Sequence, residues 1–546
     1  MRRFLILTGL LFAFTVKLMP QGSFDFEVSK NLDIYSSVLK QLNLHYVDDI
    51  QTGELNKKAI EAMLRSLDPY TVYYPESKIE DVRYLRTGKY GGVGAAIHIQ
   101  NDTVVVGRVL ENYPFYKAGI RPGDRLLKID GLSVVGKTVS QMSEILKGNA
   151  GSVLKVEFLQ SKSGETMVSD VKREEIKIKN VPYYGFVADG VAYVHLSQFN
   201  ETAAAEIRDA LAAMSEQQKL TGFVLDLRDN GGGLLQQAVE IMDIFLPPGQ
   251  LIVETKGKVP AENHRYLTSK PALYPGLPVV VLVNNRSASA SEIVAGSFQD
   301  IDRGVVMGVK TYGKGLVQKV FPLSYNAQMK VTVAKYYIAS GRCIQAIDYS
   351  EHDKQGHAVR TADSLRADFK TLGGRPVKDA GGILPDVRTE NNRYNDVVYA
   401  LAKQHFIFNY ATLYVNTRDS VKSVDDFRLT DKDFDDFLDF INKEGFSYET
   451  PAVVLIEELK ASPDIKNNEK LTEEVKTLEK QLEEAGGKAV AENKADILNL
   501  IRQEIISRFF FDAGKIKAAL ENDDEVKQAV ELLNDKEKYD LILKPQ

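Results

Sequence analysis

Cysteine is almost missing: Cys343 stands alone in 546 residues, which excludes an intramolecular disulfide and any cysteine-built zinc or iron–sulfur site. Histidine is sparse too. Its seven copies form no H-E-x-x-H pair or similar ligand spacing, so neither a metal nor another cofactor is expected. There is no basic excess, since 69 basic against 75 acidic residues give a formal net charge of -6, and no nucleic-acid partner is expected. Past the first twenty residues no apolar run is long enough to span a bilayer, which needs about 20 residues. No internal repeat of the whole unit is visible. The composition that remains, 44% hydrophobic and 26% charged, is that of folded soluble protein. At this length roughly three or four domains are expected.

The N-terminus has its own pattern. Arg2 and Arg3 precede an apolar run over residues 4–16, and Lys17 and the break Met19-Pro20-Gln21-Gly22 follow. A basic start, a short apolar run and then polar sequence read as a secretory signal over residues 1–22. No A-x-A-like cleavage site stands out, so a retained anchor, with membrane association through the N-terminus, stays open. No cysteine follows the run, which argues against a lipid anchor. The expectation is an exported protein of the periplasm or cell envelope.

The rest reads as a multidomain α/β chain. Leu32, Ile34, Val38, Leu39, Leu42 and Leu44 are at mostly helical spacing, and with a second amphipathic stretch over 60–67 they predict a helical domain over 27–87. Over 88–160 the texture changes to short strands with glycine turns. Gly91-Gly92-Val93-Gly94 opens a strand over 95–99, a second strand covers 103–109, and Ala118-Gly119-Ile120-Arg121-Pro122-Gly123-Asp124 precedes a third. A helix over 139–146 and a strand over 153–159 close the set. A small β-module with one glycine-lined loop before a strand and one late helix resembles a PDZ domain. That resemblance implies capture of a protein or peptide substrate by its free C-terminus. Backbone N–H groups of Gly91, Gly92, Val93 and Gly94 would hold the carboxylate, and the peptide would add as a strand.

Within a core region over 161–390, strands alternate with helices from about 186 to 345, which predicts a largely parallel core with its site near the strands' carboxyl ends. An apolar strand over 222–227 ends in Arg228-Asp229-Asn230-Gly231-Gly232-Gly233 and leads into a helix. Another, over 279–283, runs through Ser287-Ala288-Ser289-Ala290-Ser291-Glu292 into a second helix. Both junctions put backbone N–H groups at a helix start, where anionic oxygen is favoured. Ser289-x-x-Glu292 is also a literal capping box. A third element is Thr311-Tyr312-Gly313-Lys314-Gly315, before a strand-like 316–320. Lys314 and Gln318 share parity in an extended chain, which points both to one face. His195 falls in a core strand and reads as structural. After 391 the chain is charged and helical to its end, with 497–533 reading as helix and a Glu/Lys-rich surface stretch over 464–495.

The chain resembles the C-terminal processing peptidases, or tail-specific proteases, which are serine–lysine hydrolases with a PDZ insert on a ClpP/crotonase-like core. The resemblance covers about residues 30–390. It is carried by L-D-L-R-D-N-G-G-G-L-L, S-A-S-A-S-E-I, T-Y-G-K-G-L-V-Q and the G-G-I-L-P-D that ends at Asp386. It implies Ser289 as nucleophile and Lys314 as general base, 25 residues apart, with Gln318 orienting the lysine and Asp300 as a further catalytic acid. Gly232 and Ala290 would supply the oxyanion hole. Two positions depart from the family: proline is common where Gly231 and Ala339 stand. A lysine base needs its neutral amine, which for a free lysine costs roughly 4–5 kcal/mol at pH 7, so burial must depress it. The helical region after 390 goes beyond the common core and offers a surface for an adaptor or for self-association. A catalytically inactive PDZ scaffold is the non-enzymatic alternative. Acyl chemistry of the crotonase kind fits poorly with an export signal and a peptide-binding module.

Overall fold

The computed structural model describes residues 21–545, apart from 354, 391–393, 419, 449 and 450. The apolar run expected to act as export signal lies outside the described residues. The chain divides into two compact units, Met1–Tyr73 and Tyr74–Gln546. In the first, helices Gln21–His45 and Thr52–Arg65 carry the predicted apolar periodicity, with Leu32, Ile34, Val38, Leu42 and Leu44 exposed. The Asp68 carboxylate then accepts from the Tyr70 and Thr71 N–H groups, a side-chain-built turn that ends the helical run. The helical domain expected over 27–87 is therefore split, because helix Ile79–Thr87 belongs to the second unit.

The second unit begins with the glycine-rich β-module. Its antiparallel sheet runs Ala95–Gln100, Thr103–Val109, Arg125–Ile129, Val153–Leu159, Thr166–Lys172. Val104, Val106, Leu126, Val156 and Phe158 alternate inward onto Met142 and Leu146 of helix Val139–Leu146, which a Thr138/Gln141 capping box starts. The sheet outruns the expected boundary at 160. Thr166–Lys172 pairs along its whole length with Val153–Leu159, and the Asp124 carboxylate holds the Ser161 N–H at the turn between them.

The α/β core has a six-stranded sheet in the order Tyr183–Ala188, Val191–His195, Gly222–Asp226, Val279–Val283, Val305–Gly308, Val387–Arg388. Only the first pair is antiparallel. Its central strands read as unbroken apolar runs because both faces are covered. Side-chain alternation divides them. Ala192, Val194, Phe223, Leu225, Val279, Val281 and Val283 face helices Ala203–Gln217, Leu235–Asp243 and Ala290–Asp300. Val191, Tyr193, Val224, Val280 and Leu282 face the end of the chain, where Val526, Ala529, Leu532, Leu533 and Tyr539 of helices Asp524–Asn534 and Lys536–Ile542 cover them. Each buried aliphatic side chain here contributes about 1.5–3 kcal/mol.

A second, antiparallel sheet places Gln328–Ile338 between Leu316–Pro322 and Leu251–Gly257, with His264–Leu267 beyond. Helices Asp396–Lys403, Phe406–Asn416, Asp431–Lys443 and Lys494–Leu520 share a separate core around Leu401, Phe437, Ile497 and Ile501. The stretch read as helix over 497–533 breaks twice: Phe511 takes φ 54°, and the helix ends at Leu520 before Asp523 caps the next. No helix among the described residues is long and apolar enough to cross a membrane.

Candidate active site

The three serines of Ser287-Ala288-Ser289-Ala290-Ser291 are separated by burial. Ser287 and Ser291 are fully buried, and their hydroxyls donate to the carbonyls of Leu227 (2.8 Å) and Asn230 (2.9 Å). Ala288 adds a backbone bond to Asn230 O at 3.0 Å. The outer serines thus stitch this junction to the glycine loop after strand Gly222–Asp226. Ser289 between them is only half-buried and takes φ 57°, ψ −116°, just ahead of helix Ala290–Asp300. A non-glycine residue held there carries about 1–3 kcal/mol of strain. A sharp strand-to-helix turn of this kind lifts a serine hydroxyl out of the chain.

The glycine loop approaches this turn as closely as backbone allows. Gly232 has φ +90°, and a Cβ there would fall 2.5 Å from Ala288 O, 2.8 Å from Ala290 N and 2.8 Å from Ser289 Cβ. Only glycine fits. The Gly232 N–H donates to Asn230 Oδ1 at 2.9 Å, so it reaches an oxyanion only by sharing or leaving that amide.

Lys314 is half-buried, and its segment is fastened to Ser289's from two sides. On one side is the carboxylate of Glu292, wholly buried at the third position of the Ser289 helix. One oxygen accepts from Ser289 N (2.8 Å) and Lys314 N (2.9 Å); the other accepts from Gly313 N (2.7 Å) and the Thr311 hydroxyl (2.6 Å). Burial pushes the Glu292 carboxyl up to about 7, against the pull of these donors. On the other side, the buried Tyr336 hydroxyl donates to Lys314 O at 2.6 Å and lies 3.2 Å from Ser289 O. Two side chains therefore hold both backbone segments.

Glu292 was legible only as a helix cap; its second set of partners lies on a loop 21 and 22 residues on. Tyr336 had a weaker signal, the inward alternation Ala334, Tyr336, Ile338 of a buried strand.

The parity expected to align Lys314 with Gln318 does not operate. The strand begins at Leu316, and a bulge between Val317 and Gln318 interrupts the alternation. Gln318 Nε2 donates to the Thr332 hydroxyl at 3.3 Å. Asp300 ends the Ser289 helix, about 16 Å along its axis from the serine at 1.5 Å per residue. Its carboxylate binds the fully buried Arg342 at Nη2 (2.7 Å) and the half-buried Ser340 at its N–H (3.0 Å). That is the arrangement of a buried ion pair, at the far end of the helix from Ser289. His195, as expected, closes a core strand, 3.8 Å from Asp226 Oδ2.

In the β-module the glycine segment is less open than a plain loop. Gly91 and Gly92 pair in strand Lys89–Gly92 with Glu174–Lys177, and Gly91 N donates to Glu80 Oε2 at 2.9 Å. The Val93 and Gly94 carbonyls accept from Phe115 N and Leu110 N. Among the described residues no cluster of three or more His, Cys, Asp or Glu could hold a metal ion.

Residues 190–352 match Peptidase family S41, 105–160 match a PDZ domain, and 397–533 match the C-terminal helical domain described as "Probable PDZ-protease". A carboxy-terminal-processing protease of Bartonella bacilliformis is 35% identical over 321 residues, covering 58% of this chain and 73% of that protein. The chain belongs to the carboxy-terminal-processing proteases. It is a serine-type peptidase with a PDZ domain on a mixed α/β core. Carboxy-terminal processing protease CtpA of Bacillus subtilis is 30% identical over 319 residues, 57% of this protease and 66% of that protein. Among solved structures, a photosystem II D1 C-terminal processing protease aligns with 27% identity and a TM-score of 0.36, over 66% of this protease and 92% of that chain.

Proposed function

We propose that the chain is an exported endopeptidase that binds protein C-termini through its PDZ domain and cleaves peptide bonds with a Ser289–Lys314 dyad. The observation that carries this reading is the double tie between the two segments. One buried carboxylate holds the Ser289 and Lys314 N–H groups, and one buried hydroxyl spans their carbonyls. Ser289 Oγ attacks the substrate carbonyl, and neutral Lys314 accepts its proton and returns it to the leaving amine. Gln318, on the strand that follows the lysine, keeps an orienting part. The oxyanion receives the Ala290 N–H at the helix start and the Gly232 N–H beside it, each worth about 3–4 kcal/mol.

Gly91, Gly92, Val93 and Gly94 form the carboxylate end of the peptide groove, with Ala95–Gln100 as its pairing edge. Capture there raises the local concentration of substrate at Ser289. Export to the periplasm or envelope rests on residues 1–22. Membrane association rests on the same segment, and an adaptor or self-association would use the helical surface after 391. The test compares one peptide with a free and with an amidated C-terminus on wild type and Ser289→Ala. Free-acid cleavage several-fold faster, and lost in the variant, is the expected result; equal binding and cleavage of both peptides would remove the carboxylate-capture claim.

A further inference from the structure

Three residues before the first loop glycine, the chain is gripped from an unexpected direction. Arg228 links the last residue of strand Gly222–Asp226 to helix Asp524–Asn534, almost three hundred residues away. Its Nη2 donates to Asp226 Oδ2 (2.6 Å) and Asp523 Oδ2 (2.7 Å). Its Nη1 donates to Glu525 Oε2 (2.7 Å) and Asp523 Oδ1 (3.2 Å), and its Nε to Asp226 Oδ1 (3.0 Å). The Asp226 carboxylate also accepts from the Arg228 N–H and the buried Tyr193 hydroxyl. All four charged side chains are at most 18% exposed. Arg228 is therefore held charged, and the Asp226 carboxyl lies well below its ordinary range. The helix that brings Asp523 and Glu525 is seated on the sheet by Val526, Ala529, Leu532 and Leu533, and the next by the Tyr539 hydroxyl, bonded to Val279 N and O.

We infer that the C-terminal helix Asp524–Asn534 sets the oxyanion loop, with Asp523 and Glu525 acting as positioning residues through Arg228. The inference deepens the proposed function and rests on its reading of Gly232 and Ser289. Downstream of Arg228, the Asp229 carboxylate is held by Asn284 and Arg286, and Asn230 by Leu196, Ala288 and Ser291. The loop thus has fixed points toward the Ser289 turn, where Ser287 also holds the Leu227 carbonyl, while the Arg228 side chain ties its entry to the C-terminal helix. A two-acid grip on a guanidinium also sets orientation, which one lysine-like point charge would not. The helical region after 391 is on this account a working part of the peptidase core rather than an appendage.

The test is the double variant Asp523→Asn/Glu525→Gln in the full chain. Asparagine caps a helix as well as aspartate, so the helix start is kept while the charges are removed. Amide exchange over residues 228–234 is expected to rise, with strand 279–283 unchanged. The kcat on a short peptide should fall on the order of tenfold or more, with KM within about twofold, because loop geometry matters most in the transition state. Val526→Ala is the control: it thins the same helix's apolar seam without touching Arg228, and should lower Tm while leaving loop exchange and kcat near wild type. Unchanged exchange at 228–234 in the double variant overturns the inference. So does faster exchange without loss of kcat, and so does a Val526→Ala variant that reproduces both effects. Wild-type cleavage that survives Ser289→Ala faults the dyad reading instead, and loop exchange still decides the tie.

Discussion

Replacing Glu292 by glutamine keeps its shape and removes its charge, and the bonding pattern says which contact fails. The carboxylate serves three backbone N–H donors and one hydroxyl with two oxygens. An amide has a single acceptor oxygen. Turned toward Ser289 and Lys314, that oxygen keeps both of their N–H groups but sets its own NH2 against the Gly313 N–H. Turned the other way, it loses both. The first orientation leaves one buried donor unmet, at about 1–3 kcal/mol, and releases the loop at Gly313, next to Lys314. A displacement there on the order of 1 Å lowers kcat by roughly a hundredfold.

The pH dependence adds a sign. The Glu292 carboxyl titrates at about 7 when folded and lower when unfolded, so between those values the folded state keeps a proton the unfolded chain has lost. Stability from this group is full at acid pH, falls as pH rises toward 7 by about 3 kcal/mol, and is flat above. The variant lacks that slope. In activity the ratio of wild type to Glu292→Gln is expected to be largest near pH 8 and to shrink toward pH 6, where the wild-type carboxyl is itself protonated. The ratio also removes any titration the two proteins share. The assay is kcat/KM on a quenched peptide from pH 6 to 8.5, with thermal melts at each pH. Activity within threefold of wild type throughout that range would refute the clamp.

Other outcomes follow from single contacts. Gly232→Ala places a Cβ under 3 Å from the backbone of the Ser289 turn, so kcat should fall at least a hundredfold while amide exchange in the core sheet is kept; a well-folded, active variant would contradict the close approach. Asp300→Asn leaves Arg342 without its buried counter-charge and should destabilise by about 3–5 kcal/mol, with kcat per folded molecule unchanged; a selective kcat loss at unchanged Tm would instead give Asp300 a catalytic part. His98 stacks on His405 at 4.3 Å, and burial brings it down to about 4, so the folded state resists a proton that the unfolded chain binds. Stability from His98 is present above about pH 6.5 and drains away toward pH 4, and His98→Asn should flatten that acid limb in melting curves.

The parts of this fold that were readable from sequence are those encoded by local period and local chemistry. Unbroken apolar runs such as Val279–Val283 announced buried parallel strands, and Ala118 to Asp124 announced the PDZ domain. The helix breaks at Phe511 and Asp523 were harder, because the apolar period runs on across them. Parity is a weak guide to Lys314 and Gln318, because the alternation holds only inside a regular strand and the strand there starts at Leu316 and is bulged at Val317. Glu292 looked like an ordinary cap because the cap is local, whereas its bonds to Gly313 and Lys314 need the sheet to bring two distant loops together. The same is true of Arg228, whose partners Asp523 and Glu525 sit in a stretch that reads only as charged helix.

The dyad itself is tested most directly by hydrolysis of one free-acid peptide by purified Ser289→Ala, Lys314→Ala and the double variant, each with a wild-type melting profile. Residues that act as one unit lose their effect together, so each single variant should abolish cleavage and the double should be little worse than either. Near-wild-type hydrolysis by either single variant, or losses that multiply in the double, would contradict the assignment of Ser289 as nucleophile and Lys314 as its base.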